Sequence, residues 1–355
     1  MDSLSQIALG AAIGLAIAPP NQRRRAVLYG AALGTLPDLD ALIAFGGPVE
    51  DFTYHRSFSH SLLVLPIVAL LLHALAARLD AAVRGARWRW IFLLALNTHP
   101  LLDWFTIYGT QLFWPIDPTP YGLGSVFIID PLYTLPLLIA IAWSLWARRE
   151  RVQRIARGGL IVSCAYLGWS AVAQTLIESR VQEQAGGAPL LALPTPFNTL
   201  LWRVVIREPN RYRVGYLNLH DDDVSLAPVR TLPSNDALAA ELGEHWTYRR
   251  LRDFTHGFYA LDRCGETIVM SDLRMGVEPA YVFAFEIARL EDGRWRELRP
   301  ATAVGERGSD AAADVFAWMG ARMRGEPGAL QIDPYALIAR ASCDDGLHGA
   351  QTATR

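Results

Sequence analysis

Long apolar runs alternate with short polar connections in the first half of the chain. Apolar segments at 3–18, 26–45, 59–78, 88–105, 130–147 and 158–177 predict six helices. Several of them approach the roughly 20 residues that a helix needs to cross a bilayer. Beyond residue 180 the apolar runs disappear and charged residues become frequent. We therefore expect an α-helical membrane bundle of about six helices, followed by a smaller α+β soluble domain.

The same change in composition predicts the domain boundaries. They are a transmembrane helical domain at 1–180, a Pro-rich linker at 181–198, a soluble α+β domain at 199–345 and a disordered tail at 346–355. In the soluble domain, β-branched and aromatic residues predict strands at 200–206, 212–219, 254–262, 267–273 and 281–289. Helical periodicity predicts helices at 235–243, 310–324 and 334–341.

The first two segments contain small residues four positions apart, at Gly10 and Gly14 and at Gly30 and Gly34. This spacing permits two helices to pack closely. Chance spacing in helices rich in alanine and glycine is the alternative interpretation. The second segment also contains Pro37, which predicts a distorted helix at that point.

The arginines indicate an orientation, and every basic residue of the chain is an arginine. They are concentrated in alternate connections, at 23–25, 78–89 and 148–157, whereas the connections 46–58 and 106–129 contain only Arg56. For a multi-pass protein of the bacterial inner (cytoplasmic) membrane, the positive-inside rule makes the arginine-poor connections 46–58 and 106–129 and the C-terminal domain extracytoplasmic. The formal net charge of −2 gives no reason to expect nucleic-acid binding.

Ionisable side chains of the metal-ligand type lie in or beside these apolar segments. They are Asp38, Asp40, His55, His60, His99 and Asp103. Such side chains are costly in a membrane and persist mainly where they serve a site. His99 and Asp103 are four residues apart and share one helix face. At about 1.5 Å per residue, Asp38 and His99 lie roughly 16–18 Å from the cytoplasmic ends of their helices, so the six side chains are expected at one depth.

Imidazole and carboxylate ligands suit a divalent transition metal, as one or two ions of Zn, Mn or Fe. None of the three cysteines has zinc-motif spacing, which argues against a closed structural zinc site. Cys264 and Cys343 can form one disulfide in an oxidising compartment. For single members of the set, a packing histidine and a helix cap at Asp40 are the alternative interpretations.

Two further residues are candidates for catalysis. Arg56 can hold a phosphate or carboxylate group and stabilise developing negative charge; a surface arginine is the alternative. Asp130 precedes Pro131 in a pattern typical of a helix start, so a capping role is its alternative.

Three motifs carry a family resemblance. Residues 34–40 read GTLPDLD, residues 55–61 read HRSFSHS and residues 99–103 read HPLLD. As a set they resemble the YdjM-type family of inner-membrane, metal-dependent hydrolases, over about residues 1–150. The sequence GTQLFWP at 109–115 and DLR at 272–274 resemble the branch of that family with a C-terminal soluble extension. The resemblance implies a metal site and a hydrolytic reaction.

We therefore expect a membrane-embedded hydrolase that acts on a lipid or lipid-linked ester or phosphoester through metal-activated water. The substrate class follows from the predicted depth of the site, and the lipid bilayer is the expected partner; the sequence names no protein partner. A divalent-metal transporter and a non-catalytic metal-binding membrane scaffold are the alternatives. Transporter sites usually lie between structural repeats, and neither the Asp nor the His cluster is repeated in this chain.

Overall fold

The structure is a computed structural model that describes residues 1–222, 226, 229–277, 280–304, 312–326 and 329. The chain forms two compact units. The first contains residues 1–43, 54–173 and 196–199, and the second contains 44–53, 174–195 and the chain from residue 200 onward. The second unit therefore includes a short segment, 44–53, that lies between two of the predicted site motifs. A single boundary near residue 180 does not describe this arrangement.

Each apolar segment of the N-terminal region contains a helix, as predicted. The helices are α1 Ser3–Ile17, α2 Arg23–Thr35, α3 Pro48–Tyr54, α4 Leu65–Leu79, α5 Ala86–Trp104, α6 Pro131–Trp146 and α7 Arg149–Ala185. Helix α2 ends before Pro37, and the chain continues as the 3₁₀ helix Leu36–Leu42, because proline cannot donate the hydrogen bond that an α-helix needs. Helix α7 is much longer than predicted and ends only at Gly186 and Gly187, which both have positive φ angles.

The helices of the described residues are shorter than six membrane spans require. Only α7 is long and apolar enough to cross a membrane by itself. The helical segment 48–60 and α4 are bent by 62° relative to each other, and together they would form a second span if they are counted as one helix. Helices α1 and α6 are apolar but short. The helical character of the N-terminal region is confirmed, whereas the six-span bundle stays a prediction.

Helices α1 and α2 pack closely and antiparallel through their glycines. A Cβ atom added to Gly10 would lie 2.1 Å from the carbonyl oxygen of Gly30, and one added to Gly34 would lie 2.3 Å from the carbonyl oxygen of Gln6. Two backbones approach this closely only where a side chain is absent. The close packing predicted from the glycine spacing is therefore present, and it fixes where Gln6 and Gly34 lie in the first unit.

The second unit is α+β, as predicted, and contains two antiparallel four-stranded sheets. One has the order β1 Leu190–Pro194, β2 Leu201–Glu208, β3 Arg211–Asn218, β4 Val229–Pro233, and the other has the order β10 Arg294–Ala303, β9 Ala284–Glu291, β6 Thr267–Asp272, β5 Tyr259–Cys264. Strands β7 Gly276–Val277 and β8 Ala280–Tyr281 form a small separate pair. The helices are α8 Leu238–Leu242, α9 Trp246–Phe254 and α10 Ala312–Met323.

Some elements of the second unit differ from the predictions. The expected linker at 181–198 contains the end of α7 and the strand β1. The strand predicted from residue 254 begins at Tyr259, because Phe254 is the last residue of α9. The predicted helix at 334–341, the tail at 346–355 and Cys343 lie outside the described residues.

Candidate metal centre

Helix α5 contributes two of the predicted ligands. His99 and Asp103 are one turn apart, and the Nε2 atom of His99 lies 3.3 Å from the Oδ2 atom of Asp103. Both side chains are completely buried. This pairing follows from the helical repeat, which places residues four apart on the same face.

Two short 3₁₀ helices bring the other two ligands. Asp38 comes from Leu36–Leu42 and His60 from Phe58–His60. The Nε2 atom of His60 lies 3.1 Å from Asp103 Oδ2 and 3.5 Å from Asp38 Oδ1. The Nε2 atom of His99 lies 3.3 Å from Asp38 Oδ1 and 3.1 Å from His60 Nε2. One ligand atom from each of the four residues thus lies within 4.8 Å of every other.

These distances fit a divalent metal ion. Ligand atoms bound tetrahedrally at roughly 2.0–2.1 Å would be about 3.3–3.4 Å apart. Five of the six pairs among these atoms are separated by 3.1 to 3.5 Å, and the sixth pair, from Asp38 and Asp103, lies within 4.8 Å. The Oδ2 atom of Asp103 is buried and accepts no hydrogen bond within the described part of the chain. A buried carboxylate oxygen without a donor is costly unless a positive charge compensates it, and a metal ion would do so.

Contacts outside the cluster fix the orientation of both imidazole rings. The Nδ1 atom of His99 lies 2.6 Å from the carbonyl oxygen of Gly34. A carbonyl only accepts hydrogen bonds, so Nδ1 carries a proton, and in a neutral ring Nε2 would present its lone pair to a metal ion. The Nδ1 atom of His60 lies 2.9 Å from the hydroxyl oxygen of Ser59, and that hydroxyl donates to Asp40. Metal-binding histidines are usually held in this way.

Asp40 and His55 form a separate pair beside the cluster. The Oδ1 atom of Asp40 lies 2.9 Å from Nδ1 of His55, and its Oδ2 atom accepts a hydrogen bond from the backbone N–H of Arg56 at 2.9 Å. The Oδ2 atom also lies 3.7 Å from Nδ1 of His60. Of the six predicted ligands, four therefore converge on one point, and the other two, Asp40 and His55, contact each other beside the cluster. Direct metal binding by Asp40 and His55 stays a prediction.

Arg56 is buried in the first unit and is not a surface arginine. Its guanidinium group lies 3.4 Å from Oδ1 of Asp103 and is stacked over the ring of Tyr108, 4.9 Å from the ring centre. Its backbone has a φ of 64°, which is uncommon for a residue other than glycine. The positive charge therefore lies directly beside the four-residue cluster.

Asp130 is placed elsewhere. It is the cap of α6, where its carboxylate accepts a hydrogen bond from the backbone N–H of Leu132, and it also accepts one from the hydroxyl of Tyr166 at 2.7 Å. Among the described residues, no hydrogen bond or ion pair joins it to the cluster. These contacts support the capping interpretation, and a catalytic role for Asp130 stays an untested prediction.

Sequence reasoning missed Gln6. Its Nε2 atom donates to Oδ1 of Asp103 at 3.1 Å and to the carbonyl oxygen of His99 at 3.2 Å, and the side chain is completely buried. A polar side chain inside the apolar segment 3–18 was the available signal. Ser59 lies in the motif at 55–61, and its hydroxyl links Asp40 to His60.

Comparison with known proteins identifies the first half of the chain. Residues 1–177 match the model of the YdjM inner membrane protein family. The chain belongs to this family. As a YdjM protein it is associated with the inner membrane, and the family resemblance of its motifs is confirmed.

One curated relative is an uncharacterized Bacillus subtilis (strain 168) protein, YfhP. It is 27% identical to this chain over 156 residues. The match covers 40% of this chain and 46% of YfhP, so the chain spans less than half of the length of that relative. No solved structure matches the chain.

Proposed function

We propose that this YdjM protein is a membrane-embedded, metal-dependent hydrolase that acts on a lipid or lipid-linked ester or phosphoester. The observation that carries the proposal is the convergence of four ligand atoms, from Asp38, His60, His99 and Asp103, at spacings that suit one ion. A bound Zn, Mn or Fe ion supplies Lewis acidity and activates water for attack on an ester. A site with one or two ions remains within the proposal, because Asp40 and His55 offer further ligand atoms.

Of the four ligand side chains, that of Asp38 is the one partly exposed, which supports chemistry over a purely structural metal. His60, His99 and Asp103 are completely buried, whereas the side chain of Asp38 is 18% exposed. Water and a substrate would therefore reach the ion past Asp38. Catalysis requires a further coordination position for water beside the four ligands, as in a five- or six-coordinate ion, whereas a closed structural site has none.

Arg56 is suited to stabilise an anionic substrate. Its guanidinium group already balances the charge of Asp103, and its Nε donor is buried without a hydrogen-bond partner in the described part of the chain. A phosphate or carboxylate group at the cluster would accept that hydrogen bond, and charge-assisted bonds of this kind are strong. The same contact would stabilise charge that develops on the scissile group.

Asp40 and His55 have a supporting role if a single ion binds. Asp40 holds the Ser59 hydroxyl, which in turn holds the ring of His60. The ring of His55 is 21% exposed and lies against the other oxygen of Asp40, so the pair can hold a proton next to the site. With two ions, the same atoms would bind the second.

The membrane setting of the site is part of the proposal. Large apolar side chains are exposed on α2, α4, α6 and α7, among them Leu28, Ile67, Leu71, Trp143 and Ile161. Patches of this kind mark membrane or protein contacts. With the arginine pattern, they support a multi-pass arrangement whose C-terminal unit is extracytoplasmic. A reporter fused to that unit should be active outside the cytoplasm, and a cytoplasmic signal would refute this orientation.

Metal analysis tests the centre directly. Detergent-purified protein should carry roughly one or two equivalents of transition metal per chain, and His99→Ala and Asp103→Ala should each reduce that amount. His73→Ala is the matched control, because the Nε2 atom of His73 lies 3.1 Å from the carbonyl oxygen of Val83 and its ring packs against Phe92, and no contact within the described part of the chain joins it to the cluster. Full metal retention in both ligand variants would refute the site.

A lipid ester and phosphoester screen tests the reaction. Asp38→Asn should abolish turnover while the protein remains folded, because a charged ligand on the accessible side is lost. Divalent-ion flux into vesicles without hydrolysis would favour the transporter. Metal binding with neither activity would favour the scaffold.

A further inference from the structure

The segment between two of the site motifs belongs to the second unit. The chain leaves the first unit after Ile43 and returns to it at Tyr54. Asp40 precedes this excursion, and His55 and Arg56 follow it directly. The ten residues at 44–53 are thus packed with the C-terminal part of the chain, although the chain on either side of them leads to Asp40, His55 and Arg56, which lie beside the four-residue cluster.

An aromatic contact anchors the segment. The ring of Phe52 lies 4.7 Å from that of Phe254, 4.3 Å from that of Phe283 and 5.5 Å from that of Phe285, measured between ring centres. Phe52 is 5% exposed. Three aromatic neighbours around one buried ring make a specific, well-packed attachment.

Polar contacts hold the residue that follows. Arg250, on α9, donates from Nε to the hydroxyl oxygen of Thr53 and from an Nη atom to the carbonyl oxygen of Thr53, both at 2.9 Å. The Thr53 hydroxyl itself donates to the carbonyl oxygen of Val49 at 2.7 Å. Glu50 contacts Arg299 at 3.2 Å. Thr53 is therefore fixed through both its side chain and its backbone, two residues before His55.

Two contacts of Asp40 join the two ends of the excursion in the first unit. Nδ1 of His55 lies 2.9 Å from Oδ1 of Asp40, and the backbone N–H of Arg56 donates a hydrogen bond to Oδ2. These contacts close a loop that contains the whole anchored segment. Freeing the segment would increase the conformational entropy lost when the loop closes. The bond between Arg56 and Asp40 would then open more often.

We propose that the second unit is a positioning device for the metal centre, in which Phe52 and Arg250 act as positioning residues. By fixing the segment 44–53 they hold Asp40, His55 and Arg56 in place around the four-residue cluster. The inference rests on the proposed function in one respect, namely that Asp40 and His55 serve that centre. It gives the C-terminal unit a role within the YdjM protein without requiring a ligand of its own.

Hydrogen exchange of the full-length protein tests this proposal, with mass-spectrometric readout of peptides that contain the Arg56 amide. Arg250→Ala should speed exchange at Arg56 several-fold. Arg249→Ala is the matched control, because the neighbouring Arg249 is exposed and its guanidinium group, among the described residues, forms an ion pair with the exposed Glu244, at 3.7 Å. In Arg249→Ala, the Arg56 amide should exchange at the wild-type rate. Arg250→Lys, which keeps a donor and the charge, should restore part of the protection.

Metal affinity, measured by competition with a chelator, is the second readout. Loss of a residue that supports a ligand typically weakens metal binding by about 10–100-fold. Because Arg250 acts one step further away, we expect a loss of roughly 3–10-fold in Arg250→Ala and none in Arg249→Ala.

The outcomes separate the two proposals. If the wild type binds no metal, the proposed function fails, and exchange at Arg56 still decides whether the second unit positions the segment. If Arg250→Ala is folded and exchange at Arg56 is unchanged, the positioning proposal is overturned. If Arg250→Ala does not fold, Phe52→Leu is measured in the same way, since it keeps an apolar side chain but removes the ring contacts; unchanged exchange there also overturns the proposal.

Discussion

Replacement of Gln6 by leucine isolates one hydrogen bond at the candidate metal centre. The amide group of Gln6 donates to Oδ1 of Asp103 at 3.1 Å, while Oδ2 of the same carboxylate faces the two imidazole rings. Gln6→Leu keeps the approximate size and the apolar stem, but it removes the donor. The carboxylate is then freer to rotate, and Oδ2 is less well presented to an ion.

The size of the effect follows from the contacts of Asp103. A hydrogen bond to a charged group contributes about 1.5–3 kcal/mol, and about 1.4 kcal/mol corresponds to a tenfold change in an equilibrium constant. Full loss would thus weaken metal binding by about 10–100-fold. Because Arg56 and the nitrogen of Met1 also contact Oδ1, we expect the lower end, about tenfold.

Chelator competition on detergent-purified protein measures this change. Gln153→Leu is the matched control, because the Gln153 amide also donates to a backbone carbonyl, that of Ala18 at 2.8 Å, without contacting the cluster. It should leave metal affinity unchanged. Wild-type affinity in a folded Gln6→Leu protein would refute the conclusion that Gln6 orients Asp103.

The other predictions concern stability. Gly10→Ala should lower the free energy of unfolding by about 1–3 kcal/mol, since the added Cβ meets the backbone of Gly30. Gly158→Ala is the control: this glycine has open space around it, so the change should be neutral or stabilising by up to about 1 kcal/mol. Equal unfolding midpoints for the two variants would contradict the close packing of α1 and α2. Although burial raises the pKa of Asp236, hydrogen bonds from Arg207 and others hold that pKa below its usual range. Its stabilising contribution is therefore present above the unfolded pKa and lost as pH falls through the folded value, so acid titration of Asp236→Asn should show a smaller loss of stability below about pH 4.

The sequence by itself determined the local features of this protein. Apolar runs located the N-terminal helices except α3, which lies in a predicted connection, because helix formation in those runs depends on the residues of the segment itself. Pro37 predicted the break after α2, and the four-residue spacing of His99 and Asp103 placed both on one face of α5. The motifs also predicted the family and the type of ligand, because imidazole and carboxylate groups have the same chemistry in any fold.

Only the tertiary structure decided which of these groups meet. It gathered Asp38 and His60 with the pair on α5, left Asp40 and His55 as their neighbours, and placed Asp130 at a helix start. It also brought Gln6 to Asp103, and packed the segment 44–53 with the C-terminal unit. Each of these contacts joins residues that are distant along the chain. Local propensity carries no information about such contacts, since they depend on close backbone packing at the glycines of α1 and α2 and on aromatic burial around Phe52.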